Sequence, residues 1–427
     1  MRVHRKLLDV AVIAGLTACA AAPAPKSQGR ERSSASLRDA DISFYEARVA
    51  RDPYGARDRA ALGALYLGRG RATGNETDYR RAERLARESF HTRRRRNDGA
   101  AAILAGALMA QHRFPEARDI MLEIVRQDPS EPTARATLGE IDLELGRYRD
   151  ADSLFGSIAL ARTTGSVGPR YARWLEINGR SGEARELLTT LRQDMETGFR
   201  VQPEQLAWFD LRLGDLAFRN GRLDLAAEAY QRGLAVVPED PRLLTGLAQL
   251  KAAQGAWKEA ISLGERSLAG LFDPATLGLL ADSYDAVGDS TRANDYARAM
   301  EVAVSRQPGA YHRGWALFLL DRHRRVDDML ARATAELATR KDVYGYDVAA
   351  WALHQAGRDG DARALSDSAL ARGTRDGLLH FHAGMIALGL ADSARARTEL
   401  TTALDINPHF HSRHADEARA TLLALSR

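Results

Sequence analysis

The chain has one cysteine, Cys19, among its 427 residues. A single thiol excludes an internal disulfide framework and a zinc site built from several thiolates, so the fold must be stabilised by its packed core. Lysine is also scarce, with five among 61 basic residues, and the net charge is only +4. Because no dense basic stripe is present, we expect no nucleic-acid partner.

Motifs of the common catalytic sites are missing as well. The sequence has no phosphate-binding loop, no G-x-S-x-G, no H-E-x-x-H and no pair of cysteines. Carboxylates are frequent, but nothing marks two of them as an acid and base pair. We therefore expect the chain not to be an enzyme and to use no cofactor.

The N-terminus has a basic start, Met1–Lys6, followed by an apolar run of nine residues, Val10–Ala18, too short to span a bilayer. The run ends in Leu16-Thr17-Ala18-Cys19, which resembles the lipobox of bacterial lipoproteins. That resemblance implies that residues 1–18 are a signal peptide and that lipidation occurs at Cys19. The alternative is an ordinary secretory signal in which the cysteine is incidental.

Residues 19–36 are small, polar and proline-containing, so they cannot bury enough surface to fold. We interpret them as a disordered tether. In the lipoprotein family an aspartate after the cysteine favours retention in the inner membrane, whereas this chain has Ala20. The resemblance thus implies a lipid-anchored protein on the periplasmic side of the cell envelope, in the outer rather than the inner membrane.

From residue 37 onward the chain repeats at intervals of 33 to 35 residues, apart from one step of 42. Each unit has a small anchor residue: Ala82, Ala117, Ala151, Ala184, Ala226, Ala260, Ala293, Asp328 in place of alanine, Ala362 and Ala396. A second small residue precedes the anchor by twelve positions from Ala117 onward: Ala105, Gly139, Ala172, Gly214, Ala248, Ala281, Ala316, Ala350 and Gly384. In six units a glycine precedes it by five: Gly146, Gly179, Gly221, Gly255, Gly288 and Gly357.

This spacing predicts helical hairpins in which two small residues let paired helices approach closely and a glycine forms the turn. The unit from Leu213 to Pro238 resembles the tetratricopeptide repeat at nearly every signature position. The resemblance implies an all-α solenoid of about ten hairpins in a right-handed superhelix. The sequence predicts a repeat array over 37–410 with a joint near 192–203. An N-terminal half-repeat caps it over 38–53, residues 69–77 form a loop insertion, and a capping helix occupies 411–427.

In tetratricopeptide proteins the first helices of the hairpins line a concave groove that binds a protein or peptide. Carried onto this chain, the groove positions are Glu140, Glu144, Arg173, Glu176, Trp208, Asp215, Phe218, Arg219, Asp282, Asp285, Tyr344, Asp347, Trp351 and His354. Acidic residues outnumber basic ones there, and two aromatic stretches stand out, so we expect a partner with basic and apolar residues. The alternative is that these side chains are core or bare surface.

Five of the eleven histidines lie near the C-terminus, and they are His380, His382, His409, His411 and His414. Two or three converging imidazoles would suit zinc, copper or nickel. The plainer interpretation is that they pack, cap or lie in a solvated turn.

The function expected first is a non-enzymatic scaffold for envelope assembly, anchored to the membrane through Cys19 and binding partner proteins in its groove. The alternative function is a metal-handling or metal-sensing envelope protein that uses the C-terminal histidines.

Overall fold

The computed structural model describes residues 34–198, 203–305 and 313–426. Within these ranges the chain forms 22 α-helices and no strand. The predicted signal peptide, most of the tether and Cys19 lie outside the described residues. The helices are α1 Ser34–Arg51, α2 Ala56–Thr73, α3 Glu76–Thr92, α4 Asp98–Ala110, α5 Phe114–Gln127, α6 Pro132–Glu144, α7 Tyr148–Ser157, α8 Gly168–Ile177, α9 Ser181–Glu196, α10 Pro203–Arg219, α11 Leu223–Val236, α12 Pro241–Ala253, α13 Trp257–Gly270, α14 Pro274–Ala286, α15 Ser290–Ser305, α16 Arg313–Leu320, α17 Val326–Glu336, α18 Val343–Gln355, α19 Asp359–Leu370, α20 Gly377–Gly389, α21 Ser393–Ile406 and α22 His414–Leu425.

In the described ranges, α2 to α21 pack as ten consecutive hairpins, with α1 against the first and α22 against the last. This confirms the predicted all-α solenoid, and α1 and α22 occupy the positions expected of the half-repeat and the capping helix. Of the helices described, none combines the length and the apolar character required to cross a membrane.

The close approach of paired helices follows from their small residues. The anchor alanines are buried in every unit that has one, and the small residues that precede them by twelve positions are buried as well. At Gly214 an added Cβ would lie 2.4 Å from the ring of Tyr230, and at Gly139 it would lie 2.8 Å from Phe155. These glycines therefore make room for an aromatic ring of the second helix.

Each hairpin turn needs one residue in the left-handed conformation. The six predicted turn glycines all have φ between 70° and 81°. Three further units place a non-glycine residue at the same position with φ of 58°, 50° and 56°: His112, His323 and Ala391. The left-handed turn is thus retained in units that lack the glycine. In these units the Cβ atom of the turn residue adds a steric cost in the left-handed conformation.

The predicted loop insertion at residues 69–77 is wrong for all of its residues except Gly74 and Asn75. Helix α2 continues to Thr73 and ends at Gly74, which has φ of 69°, and Asn75 then caps α3 through a bond from Thr77 N–H. The extra residues lengthen a helix, because Arg69 to Thr73 contain no helix breaker except a glycine. At the predicted joint, α9 ends at Glu196 and α10 begins at Pro203.

The array closes on itself along a line that we call the seam. In it, three successive hairpin turns meet three successive loops from later hairpins: Gly146 meets Lys341, Gly179 meets Gly373, and Gly221 meets Asn407. An added Cβ on Gly146 would lie 2.0 Å from the carbonyl oxygen of Lys341, and one on Gly179 would lie 2.3 Å from that of Gly373. The backbones are therefore in direct contact.

Hydrogen bonds join the two sides of the seam at each of the three steps. The backbone N–H of Val343 donates to the hydroxyl of Tyr148 at 2.7 Å. Thr374 donates its hydroxyl to the carbonyl oxygen of Ile177 at 2.5 Å, and the amide of Asn407 donates to that of Phe218 at 2.7 Å. Because these partners lie about half the array apart in sequence, one superhelical turn rests on the next.

Candidate functional site

The closed array surrounds a cavity of about 2280 Å³. Side chains from the first helix of all ten hairpins line it, together with Phe410 to Ser412 before α22. The predicted concave face is therefore present as the wall of this cavity. Pockets for small molecules measure about 300–1,000 Å³, so this cavity has room for a segment of polypeptide.

A buried carboxylate is paired with three arginines that line the cavity. Glu176, 5% exposed, is paired with Arg173 at 3.2 Å, with Arg212 at 3.1 Å and with Arg219. Burial raises the pKa of Glu176, but the three guanidinium groups outweigh it and hold the pKa at about 2. The carboxylate is thus ionised, and it balances positive charges on α8 and α10.

Tyr344 of α18 joins this cluster to the C-terminal half. Its ring lies 5.4 Å from the guanidinium carbon of Arg173 and 4.6 Å from that of Arg313. Arg313 in turn donates to Asp347 at 3.0 Å, and the other oxygen of Asp347 lies 2.7 Å from His382 Nδ1. Residues from four hairpins are therefore fixed around one aromatic ring.

Two carboxylates share one arginine where the seam borders the cavity. Arg340 donates to Glu144 at 3.1 Å across the seam and to Asp342 at 3.3 Å within its own loop. Burial raises the pKa of Asp342 to about 6, against the opposing charge of Arg340, and the nearby Glu144 adds to the rise. Asp342 also caps α18 by accepting the N–H of Gly345 at 2.9 Å.

The structure separates the predicted groove residues into two groups. Nine line the cavity: Glu140, Glu144, Arg173, Trp208, Asp215, Phe218, Arg219, Asp282 and Tyr344. The other five do not line it: Glu176, Asp285, Asp347, Trp351 and His354. Asp347 and Trp351 are 2% exposed, so a partner in the cavity would not touch them directly.

Trp351 lies inside the wall, and its contacts explain its burial. Its ring is stacked between His354, at 4.8 Å between centroids, and His382, at 4.2 Å. Its indole N–H donates to Asp321 at 2.8 Å. The predicted aromatic stretch Tyr344/Trp351/His354 is thus divided between cavity and core, whereas Trp208 and Phe218 both face the cavity.

Positive and negative side chains are nearly balanced in the cavity wall that the structure describes. Ten arginines and eleven carboxylates line it. The balance is more even than at the predicted groove positions because arginines outside those positions line the same space: Arg38, Arg71, Arg170, Arg212, Arg242, Arg313, Arg322 and Arg340. A partner of net positive charge is therefore not favoured by the wall.

The five C-terminal histidines do not form one cluster. His380 is held by Glu399 at 2.8 Å, and His409 contacts the carbonyl oxygen of Ala253 at 3.1 Å. His411 and His414 stack at 4.5 Å between ring centroids. Together with Asp321 they form a group whose ligand atoms lie within 4.8 Å of one another. The ring of His382 is 6.4 Å from that of His414.

Sequence reasoning missed the residues that close the array. Arg340, Arg372 and Asn407 lie in loops, outside the groove register, and join distant hairpins. Arg372 donates to Asp152 at 2.8 Å across 220 residues of sequence. The available signal was the run of turn glycines, but their spacing does not reveal that the turns at Gly146, Gly179 and Gly221 meet loops of another superhelical turn.

The family profile described as "Tetratricopeptide repeat" matches residues 67–132 and 211–274. A curated relative, "Cellulose synthase operon protein C" of Pseudomonas fluorescens (strain SBW25), is 26% identical over 180 residues. That match covers 39% of this chain and only 13% of the relative.

Solved structures of other proteins align with parts of this chain. The crystal structure of PilW, described as a widely conserved type IV pilus biogenesis factor, aligns with a TM-score of 0.42 and 18% identity, over 52% of this chain and 99% of that one. A tetratricopeptide repeat protein from Parabacteroides merdae aligns with a TM-score of 0.34 and 16% identity, over 60% and 96% of the respective chains.

Proposed function

The chain is a tetratricopeptide-repeat protein, and from that premise we propose that it is a non-enzymatic scaffold that holds a segment of a partner protein inside its cavity. The observation that carries this proposal is the cavity of about 2280 Å³, lined by the first helix of every hairpin. A space this large suits an extended or helical segment of protein better than a small molecule.

The wall supports a partner segment of mixed charge with apolar anchors. Trp208 and Phe218 lie on the cavity side of α10 and offer apolar contact area. Near them, Asp215 and Arg212 lie 3.6 Å apart, so both signs of charge are available to a bound chain. Specificity would come from paired charges and affinity from the aromatic contacts.

The seam restricts a partner segment to entering the cavity along its axis. Because successive superhelical turns are hydrogen-bonded to one another, a folded partner could not slide sideways into the groove. A terminal tail or a flexible loop could thread into the space, and it would pay an ordering cost on binding.

The place of action that we propose is the periplasmic side of the cell envelope, with the chain anchored through lipid on Cys19. Support comes from the basic start, the apolar run and Leu16-Thr17-Ala18-Cys19. A single cleavage before Cys19 would leave the cysteine as the N-terminus, and residues 19–33 would connect it to α1.

Cell fractionation tests this anchor. We expect the wild-type chain in the membrane fraction and a Cys19→Ser variant in the soluble fraction, because serine offers no thiol for acylation. Intact mass of the purified wild type should show the loss of residues 1–18 and an added lipid. An unmodified N-terminus in the wild type, together with the same distribution of wild type and Cys19→Ser between membrane and soluble fractions, would contradict the lipid anchor.

Site-specific photocrosslinking in intact cells tests binding in the cavity. A benzophenone amino acid is placed at Trp208 or at Phe218, which both face the cavity, and at Leu160, which is 100% exposed on the outside. We expect the same crosslinked partner from Trp208 and Phe218 and none from Leu160. Crosslinks from Leu160 alone, or equally from all three positions, would contradict binding in the cavity.

A further inference from the structure

A cluster of two imidazoles and a carboxylate lies in the cavity wall, away from the arginine-rich region around Glu176. Asp321 directly follows α16, whereas His411 and His414 lie before and at the start of α22. One ligand atom from each lies within 4.8 Å of those of the other two. Ninety residues of sequence separate Asp321 from His411, so it is the fold that brings them together.

Hydrogen bonds outside the cluster orient two of its three members. Asp321 accepts the indole N–H of Trp351 through Oδ1 at 2.8 Å, which leaves Oδ2 directed at His414 Nε2, 3.1 Å away. His414 Nδ1 lies 2.9 Å from a carboxylate oxygen of Glu417. A histidine whose second nitrogen is held by a carboxylate is the arrangement that orients imidazole ligands in metal sites.

His411 completes the set with a less constrained ring. Its Nδ1 accepts backbone N–H groups of Arg413 at 3.2 Å and of His414 at 3.4 Å. Both contacts are long for hydrogen bonds, so little energy opposes a turn of the ring that presents either nitrogen. His411 and Asp321 also line the cavity, so the cluster can be reached from it.

The local charge is compatible with a cation. His414 lies between two carboxylates, those of Asp321 and Glu417. The neighbouring guanidinium groups of Arg322 and Arg413 are both paired with a further carboxylate, Asp282, the second at 3.7 Å. A divalent ion at Nε2 requires a neutral imidazole, so any proton on His414 Nε2 would leave to solvent on binding.

We propose that Asp321, His411 and His414 bind a divalent transition-metal ion of the zinc type, with Glu417 as the carboxylate that positions His414. Two imidazole nitrogens and one carboxylate oxygen form a three-ligand set that leaves a fourth position open. In tetrahedral coordination the ligand atoms lie about 3.4 Å apart. The Asp321–His414 pair, at 3.1 Å, is already near that spacing. His411, within 4.8 Å of both, must move inward by at most about 1.4 Å.

The open coordination position would face the cavity, since Asp321 and His411 are cavity-lining residues. A donor group on a bound partner segment, or water, would complete the shell. The site also ties the end of α16 to the start of α22, so an occupied site would hold the last helix against the eighth hairpin.

Titration with Zn²⁺ and with Co²⁺ as a spectroscopic substitute tests the site on the full chain. We expect one ion per chain, with Co²⁺ absorption bands typical of a four-coordinate site with nitrogen and oxygen ligands. His411→Ala should weaken Zn²⁺ binding at least tenfold, and Glu417→Gln about tenfold, as is usual for a residue that orients a ligand. Because His411 is only half-buried, its loss should leave the fold intact, which circular dichroism would verify.

Two histidines from the same region supply matched controls. His380→Ala and His409→Ala remove imidazoles that are held by Glu399 and by Ala253, outside the cluster. We expect both to bind Zn²⁺ within twofold of wild type. The absence of stoichiometric binding by the wild type would overturn the proposal. So would equal loss of binding in the control variants and in His411→Ala.

Discussion

Replacing Gly146 by alanine should open the seam. It should also destabilise the array more than a glycine-to-alanine substitution at any other hairpin turn. The new Cβ would lie 2.0 Å from the carbonyl oxygen of Lys341 and 2.3 Å from its carbonyl carbon. Backbone atoms cannot yield as a flexible side chain does, so the two superhelical turns must separate. We expect a loss of about 3 kcal/mol in the free energy of unfolding, from overpacking and left-handed strain together.

Gly255→Ala is the matched control for this variant. Gly255 occupies the same turn position with φ of 76°, but an added Cβ would meet nothing within 4 Å. It should therefore cost only the left-handed strain of about 1–2 kcal/mol and leave the shape unchanged. Small-angle scattering should show a larger radius of gyration for Gly146→Ala alone. Equal radii and equal destabilisation for the two variants would show that the seam does not hold the array together.

Replacing Glu176 by glutamine should destabilise the chain by about 3–5 kcal/mol, the usual cost of breaking a buried ionic network by removing one partner. The variant keeps the size of the side chain and removes the charge that Arg173, Arg212 and Arg219 share. Three like charges then face one another in a partly dehydrated wall. Chemical denaturation at neutral pH measures the change.

Glu183→Gln is the control for the Glu176 variant. Glu183 is paired with a single arginine, Arg180, at 2.6 Å, and its side chain is 57% exposed, so its loss should cost less than about 1 kcal/mol. A Glu176→Gln variant as stable as Glu183→Gln would mean that the arginines of the cluster do not depend on the carboxylate.

The same carboxylate gives the chain a predictable response to acid. Its pKa falls from 4.5 to about 2 on folding, because three guanidinium groups outweigh the effect of burial. A lowered folded-state pKa gives stability that is fully present above pH 4.5 and is lost as the pH falls towards 2. This contribution amounts to about 3 kcal/mol. The stability difference between wild type and Glu176→Gln should therefore shrink between pH 4.5 and pH 2.

The sequence alone was sufficient to predict the hairpins, because each unit repeats the same local rules. A buried alanine, a second small residue and a left-handed turn residue recur at fixed spacing, and even the three units without a turn glycine keep that geometry at His112, His323 and Ala391. Such a pattern involves residues close together in sequence, so it can be recognised in a single sequence. The error at residues 69–77 arose where helix and loop were both compatible with the composition.

The site was predictable only in part, since it depends on contacts between residues far apart in the chain. The register placed Trp208, Phe218 and Tyr344 on the concave face, where the structure has them. It could not show that Trp351 stacks between two histidines, or that Arg340 crosses to Glu144. Such contacts depend on the small rotation between successive hairpins. This rotation accumulates over half of the array and thereby determines which loops meet.

Crosslinking across the seam tests most directly the claim that the array closes around its cavity. Asn220 and Arg375 face each other there, with 3.4 Å between Oδ1 and Nε, although 155 residues separate them in sequence. Both would be changed to cysteine in a Cys19→Ser background, which leaves only these two thiols, and treated with a short bismaleimide. We expect an intramolecular crosslink in the native protein that is lost on unfolding, and none in either single-cysteine variant. Two free thiols, each modified independently in the folded protein, would show that the array is open and would contradict this claim.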